Sequence, residues 1–326
     1  RRTENGESTF GQNEKNEIIE SVPETTEDLP SWVHHWSRSP SRGYSEILQK
    51  PILYFYAEKP VSVDVLVNSR NGMLTLWWPD ATRFLPRRPP ADQPFVWRPG
   101  GRLDWLRVLV NPFSTQPLPD VPADSWWTIA RDVDAAPIKL MDATEKFIFY
   151  SGVSRSEPLV QVETQAEHVK LENVSQFPIK ELLVVNVKKG RVRHHALSMF
   201  GPRASIVLDV QMHPDGPTAE NALPHLVQAL KEHLEGEGLF PREADAVLRI
   251  WHQDLFLTDG LRVIYLRPAQ ELQANLVLGI NPVPDAMVRA FITIIECMAP
   301  GADDEIKALI ADLAAAVPVQ VIGDLL

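Results

Sequence analysis

The sequence predicts an α+β protein in which a mainly antiparallel, β-sandwich-like body precedes a smaller C-terminal α+β portion. Three observations favour this class: short β-rich segments with frequent turn residues over 51–212, a breaker cluster (His-Pro-Asp-Gly-Pro) at 213–217, and apolar residues at helical spacing after it. The 326 residues are 44% hydrophobic and 23% charged, which is enough to bury a core. We therefore expect an acidic, partly disordered leader and irregular segment at 1–50, a β-rich domain at 51–212 and an α+β domain at 217–326, which packs on or extends the first sheet.

Local patterns place the strands of the β-rich part. Alternating valines over 61–67, followed by Asn71-Gly72 and an apolar run over 73–78, predict a β-hairpin. The proline-dense stretch 79–123 predicts long connections around one strand at 103–110, because proline is excluded from central strands. Lys188-Lys189-Gly190 predicts a turn between two strands. Further strands are predicted at 52–56, 126–131, 146–150, 159–163, 168–171, 182–187, 191–197 and 205–210.

The C-terminal part alternates helical and strand patterns. Amphipathic helices are predicted at 218–235 and 241–256, strands at 261–266 and 289–297, and a last helix from about Asp303. Two strands are too few for an independent sheet, so we expect them to pair with each other and pack on the helices, or to join the edge of the first sheet.

Composition and motifs exclude several functional classes. The net charge of −11 argues against a nucleic-acid binder, and no apolar run is long enough to span a membrane. Cys297 is the single cysteine and lies in an apolar run, which predicts an inert thiol. The nine histidines lack metal-ligand spacing, and no nucleophile-elbow or phosphate-loop motif occurs. We expect no metal and no cofactor, and the absence of a catalytic motif favours a protein that is not an enzyme.

Tryptophan supplies the interaction candidates. Trp77 and Trp78 are adjacent, as are Trp126 and Trp127, and both pairs fall in predicted strands. Because strand side chains alternate between faces, one ring of each pair is expected to point outward, onto a docking face. The alternative is that the connections at 79–123 cover the second ring, so that both faces are core.

Acidic residues supply a weaker polar site. If they lay on a strand, Asp132 and Asp134 would share one face, and Glu243 and His252 are two more candidates for acid–base chemistry. Against that interpretation, the neighbouring Arg131 is expected to make a structural ion pair.

Several stretches in order carry a resemblance between about residues 50 and 300. They are Pro51–Tyr56, Trp77-Trp78-Pro79, Ala130–Pro137, Glu145–Val153, Gly238–Ala244, Trp251 and Gly260–Leu266. In these the chain resembles an uncharacterised family of exported bacterial proteins that has no established activity. The resemblance implies the periplasm or cell envelope, with a signal peptide removed, and it gives no residue a role.

Together these observations favour a non-catalytic envelope interaction or structural-accessory protein that docks on another protein in an assembly. They are compatible with association with a membrane surface through that partner. The alternatives are a hydrolase of envelope glycan or peptide that uses the carboxylates, and a carbohydrate-binding module that uses Trp77 or Trp126.

Overall fold

The computed structural model describes residues 51–85, 100–154, 158–165 and 167–297, and the backbone of four short strands before residue 50. The strands are β1 Gly11–Gln12, β2 Ile18–Ile19, β3 His34–His35, β4 Glu46–Leu48, β5 Ile52–Tyr54, β6 Val61–Ser69, β7 Gly72–Trp78, β8 Arg83–Leu85, β9 Gly101–Val110, β10 Ile138–Leu140, β11 Ala143–Glu145, β12 Phe147–Ser154, β13 Val160–Gln165, β14 His168–Asn173, β15 Ile179–Lys188, β16 Arg191–Phe200, β17 Ser205–Asp209, β18 Gly260–Leu266, β19 Leu276–Asn281 and β20 Ile292–Cys297. The helices are α1 Trp126–Arg131, α2 Ala219–Gly236, α3 Pro241–His252, a π-helix at Gln253–Leu257, and α4 Ala269–Asn275.

The chain divides into two compact units, each made of separated segments. The first contains Arg1–Pro158, Phe240–Ile250 and Ala269–Arg289, and the second contains Leu159–Leu239, Trp251–Pro268 and Ala290–Leu326. The two domains predicted on either side of 213–217 are each continuous in sequence, whereas the segments of these two units alternate along the chain. The acidic leader and the predicted helix from Asp303 lie outside the described residues, apart from the backbone of the short strands β1 and β2.

The first unit contains two larger antiparallel sheets. One has the strand order β11-β10-β9-β6-β19, with β8 also paired to β9, and the other has the order β3-β7-β12-β4, with β5 also paired to β12. An aromatic core lies between α1 and the second sheet. It consists of Leu76, Trp78, Trp126, Trp127, Ala130, Phe147 and Phe149. Aromatic rings of this size bury most of the apolar area in such a core.

The predicted hairpin at 61–78 is wrong in its pairing, although both of its strands form. β6 pairs with β9 and β19, and β7 pairs with β12 and β3, so the chain passes from one sheet to the other at the Asn-Gly turn. All seven residues of β7 are buried. A strand that is buried on both faces needs partners and covering layers from distant parts of the sequence, which an Asn-Gly signal does not reveal.

The second unit contains the sheets β13-β14-β17 and β16-β15-β18-β20. The predicted turn joins β15 to β16, and β18 and β20 pair with each other as predicted, while β18 also pairs with β15. The fold class is therefore α+β and rich in antiparallel strands, as the sequence predicts. None of the helices within the described residues is long and apolar enough to cross a membrane.

Helices depart from the sequence prediction in three places. The predicted strand at 126–131 is helix α1, the helix predicted over 241–256 ends at His252 and is followed by the π-helix, and α4 with β19 was not predicted. Six- and seven-residue helices are too short to display an apolar period, so composition alone favoured a strand for the first of them.

Gly152 lies at a bulge in β12, where the register against β7 shifts between Ser151 and Gly152. A Cβ atom at this position would collide with the Met73 carbonyl oxygen and come within 3.0 Å of the Leu74 Cα atom. We expect Gly152→Ala to lower the free energy of unfolding by about 1–3 kcal/mol, because the bulge or its partner strand must shift. Gly236→Ala is the control, because no described atom outside its own helix turn lies within 4 Å of the added Cβ atom. It should be neutral or stabilising by about 0.5 kcal/mol in chemical denaturation. Equal effects of the two changes would contradict this account of the bulge.

Candidate functional site

Trp77 and Trp78 are both buried in β7. Trp78 joins the aromatic core, while the ring of Trp77 lies 5.3 Å from that of Phe84, which belongs to the stretch 79–123. The expectation of an outward ring is therefore wrong here. The arrangement is the alternative one, in which a proline-rich connection covers the second face of the strand.

Trp126 and Trp127 are also buried, for a different reason. They open helix α1, whose N-cap Ser125 accepts a hydrogen bond from the Trp127 backbone N–H at 3.2 Å. Alternation between faces does not apply to a helix, and the two rings lie 5.3 Å from Phe149 and 5.1 Å from Phe147, respectively. The prediction that one ring of this pair points outward is therefore also wrong.

Arg131 makes a structural ion pair, as expected, and its partner is Glu145. The guanidinium donates through Nε and Nη2 to the two carboxylate oxygens, at 2.9 and 2.7 Å. The same carboxylate accepts from Trp127 Nε1–H at 2.9 Å and from the backbone N–H of Lys146 at 2.8 Å. This buried network fixes α1 on β11, and it engages both oxygens of the Glu145 carboxylate.

Asp132 and Asp134 lie after α1 in an irregular segment and not on a strand, so the strand geometry that would give them a shared face does not apply. Both are exposed, and each pairs with an arginine of α3: Asp132 with Arg249 at 3.4 Å and Asp134 with Arg242 at 3.1 Å. The buried Val133 between them packs with Ala135 and Ala246. The two ion pairs therefore connect this segment to α3 at the surface.

Glu243 is the third residue of α3 and caps its first turn. One carboxylate oxygen accepts the backbone N–H of Phe240 at 2.8 Å, and the other accepts the hydroxyl of Tyr56 at 3.0 Å. Pro241, in the first helical position, is compatible with this start because its missing N–H would have no partner within the helix.

His252, the fourth predicted polar candidate, belongs to the second unit, where its ring lies 5.7 Å from that of Phe256. Of the four acid–base candidates, Glu243 and Asp134 lie on one surface, close enough to Tyr56 for their charges to act on its phenol.

That surface carries two exposed aromatic rings. Tyr56 is 44% exposed and Phe240 is 54% exposed, and the rings meet edge to face with centroids 4.8 Å apart and planes at 69°. We call the group Tyr56, Phe240, Glu243 and Asp134 the Tyr56–Phe240 surface. Burial raises the pKa of the Tyr56 phenol, and the negative charges of Glu243 and Asp134 raise it further. The phenol is therefore neutral throughout the physiological range, and it lies in a negative potential.

Sequence reasoning missed Tyr56 and Phe240 as functional residues because they are separated by more than 180 positions. The sequence offered one indication, which is the position of each residue at the end of a predicted element. Tyr56 lies two residues after the end of β5, and Phe240 directly precedes the proline that begins α3.

Two observations bear on metal and thiol chemistry in the described part of the chain. No group of three or more His, Cys, Asp or Glu side chains there could hold a metal ion. Burial raises the pKa of the half-buried Cys297 thiol to about 11, so at neutral pH the nucleophilic thiolate is scarce.

Comparisons with known proteins add no family. No protein-family model matches the sequence, and a comparison with curated proteins found no match.

Proposed function

We propose that the protein is a non-catalytic interaction protein of the bacterial cell envelope that docks on another protein through the Tyr56–Phe240 surface. The observation that carries the proposal is the exposed aromatic pair, held edge to face at 4.8 Å. The envelope location rests on the resemblance to exported bacterial proteins.

Aromatic residues suit a docking role because they offer a large contact area and have few rotatable bonds. Tyrosine is enriched among the residues that carry most of the binding energy at protein interfaces, where truncation to alanine costs about 2 kcal/mol or more. The pair is also held in place before binding, since Tyr56 donates to Glu243 and Phe240 adjoins the first turn of α3. Such preorganisation reduces the entropy that binding must overcome.

The hydrolase alternative has less support because its carboxylates already have structural contacts. Asp132 and Asp134 pair with arginines, Glu243 caps α3, and Glu145 is buried with Arg131. The carbohydrate-binding alternative relied on exposed rings of Trp77 or Trp126, and both rings are buried.

The test is site-specific photo-cross-linking in the native cells, with a photoreactive phenylalanine analogue at position 240. Position 113 is the matched control, because Phe113 belongs to the same unit and is 69% exposed. We expect one partner protein to cross-link at 240 and not at 113, and to form a stoichiometric complex with the purified protein. Phe240→Ala should weaken that complex at least tenfold, since a tenfold change corresponds to about 1.4 kcal/mol.

Phe113→Ala should leave both the affinity and the melting temperature of the protein unchanged. Identical cross-linking patterns at 240 and 113, or a complex that is insensitive to Phe240→Ala, would refute docking through this surface.

A further inference from the structure

We propose that the Tyr56–Phe240 surface receives a lysine or arginine side chain from a basic segment of the partner protein. This inference rests on the proposed function and names the chemistry of the group that docks there.

The geometry of the rings suits a cation. Aromatic faces carry partial negative charge and attract a cation placed within about 6 Å of the ring centroid. The planes of Tyr56 and Phe240 meet at 69° with centroids 4.8 Å apart, so they form a corner in which one cation can contact both side chains. Both residues are about half exposed, so part of each ring is accessible to a partner.

The carboxylate of Glu243 is fixed beside that corner. The two hydrogen bonds that hold it come from neutral donors, the Tyr56 hydroxyl and the Phe240 backbone N–H. These contacts orient the carboxylate without cancelling its charge, and each oxygen retains a lone pair for a further donor. A partner ammonium or guanidinium would add a positive charge beside this carboxylate.

Asp134 extends the negative potential across the same surface. Its ion pair with Arg242 joins two exposed side chains, so water and salt screen the attraction between them. The charges of Glu243 and Asp134 both raise the pKa of the Tyr56 phenol, which indicates a negative potential at this surface that would attract a cation. The chain as a whole has a net charge of −11, which attracts a basic partner over a longer range.

A defined probe tests this chemistry separately from the identity of the partner. The probe is an acetylated and amidated peptide, Gly-Ser-Lys-Lys-Arg-Ser-Gly, and its control is the same peptide with glutamine at the three basic positions. Binding is followed by NMR of the full chain with ¹³C-labelled tyrosine and phenylalanine rings. We expect saturable shifts of the Tyr56 and Phe240 signals with the basic peptide, at least threefold weaker binding in 300 mM than in 50 mM salt, and no saturable shift with the glutamine peptide.

Matched variants identify the groups responsible. Asp134→Asn should weaken binding of the basic peptide at least threefold, whereas Asp132→Asn, which removes a similarly exposed carboxylate that also pairs with an arginine of α3, should leave it unchanged. Phe240→Leu keeps an apolar side chain and the backbone N–H that caps α3 but removes the π-system, and it should also weaken binding at least threefold. Unchanged melting temperatures establish that these variants fold.

The possible outcomes separate the two proposals. If a partner cross-links at position 240 but the basic and glutamine peptides bind equally, or salt and Asp134→Asn have no effect, the docking function stands and the cationic partner group is refuted. If the basic peptide binds as described but no partner cross-links, the cation site stands and the docking function fails.

Discussion

Replacing Glu145 by alanine is expected to lower the free energy of unfolding by about 3–5 kcal/mol. The carboxylate is fully buried and the Arg131 side chain is 13% exposed, so the change leaves a guanidinium in the protein interior without its counter-charge. It also removes the acceptor of the Trp127 indole N–H, which lies in a fully buried side chain. Chemical denaturation monitored by tryptophan fluorescence measures the loss.

Asp132→Ala is the matched control for that prediction. Asp132 lies one residue from Arg131 and also pairs with an arginine, but both partners of the Asp132–Arg249 pair are exposed. Exposed pairs contribute less than about 1 kcal/mol, so this variant should differ little from the wild type. A loss below 1 kcal/mol for Glu145→Ala would mean that water reaches the network and that Arg131 is solvated there.

Elements specified by neighbouring residues were predicted well. The hairpin of β15 and β16 follows from apolar runs on both sides of Lys188-Lys189-Gly190, and α2 follows from its apolar positions between a breaker cluster and Gly236. In these cases, the interactions that define the element lie within a few residues of each other. The period and the turn residues therefore contain most of the required information.

Pairing between distant segments was not predictable in the same way. The valine alternation correctly located β6, but its partners β9 and β19 come from positions about 40 and 210 residues later. Which strand joins which sheet depends on how the layers cover one another, and several arrangements satisfy the same local pattern. The burial of all four candidate tryptophans has the same origin, because it depends on Phe84, Phe147 and Phe149.

The candidate site was predicted only in part, for a related reason. Glu243 and Asp134 were candidates because carboxylates are recognisable by type, whereas Tyr56 and Phe240 gain significance only from their contact. An exposed aromatic residue has no local pattern that distinguishes it from a buried one. The assignment of a docking surface therefore required the fold.

Asn173→Asp is expected to produce the largest pH-dependent loss of stability in the second unit. Asn173 is fully buried, and the two N–H bonds of its amide are shared among the carbonyl oxygens of Phe177 at 2.8 Å, Phe200 at 3.1 Å and Gly201 at 3.0 Å. Its side-chain oxygen accepts from the backbone N–H of Ser175 at 3.0 Å and the hydroxyl of the same residue at 2.7 Å. The side chain thus closes two loops onto β14.

Aspartate has nearly the same shape but cannot donate when it is ionised, so one carboxylate oxygen would face three carbonyl oxygens. Burial and this repulsion favour the protonated acid and raise its pKa in the folded state above the unfolded value of about 3.9. The loss of stability is therefore smallest below pH 4, where the neutral acid still donates one hydrogen bond, and it grows as the pH rises towards the folded-state pKa. An increase of roughly three pKa units corresponds to a loss of about 4 kcal/mol at pH 7.5.

Urea denaturation at pH 4.0 and 7.5, each relative to the wild type, measures the loss of stability at the two pH values. The exposed Asn221→Asp in the same unit should change stability by less than about 0.5 kcal/mol at either pH. A loss for Asn173→Asp that is the same at both pH values would show that the carboxylate ionises freely, and that the three carbonyl groups move away from it.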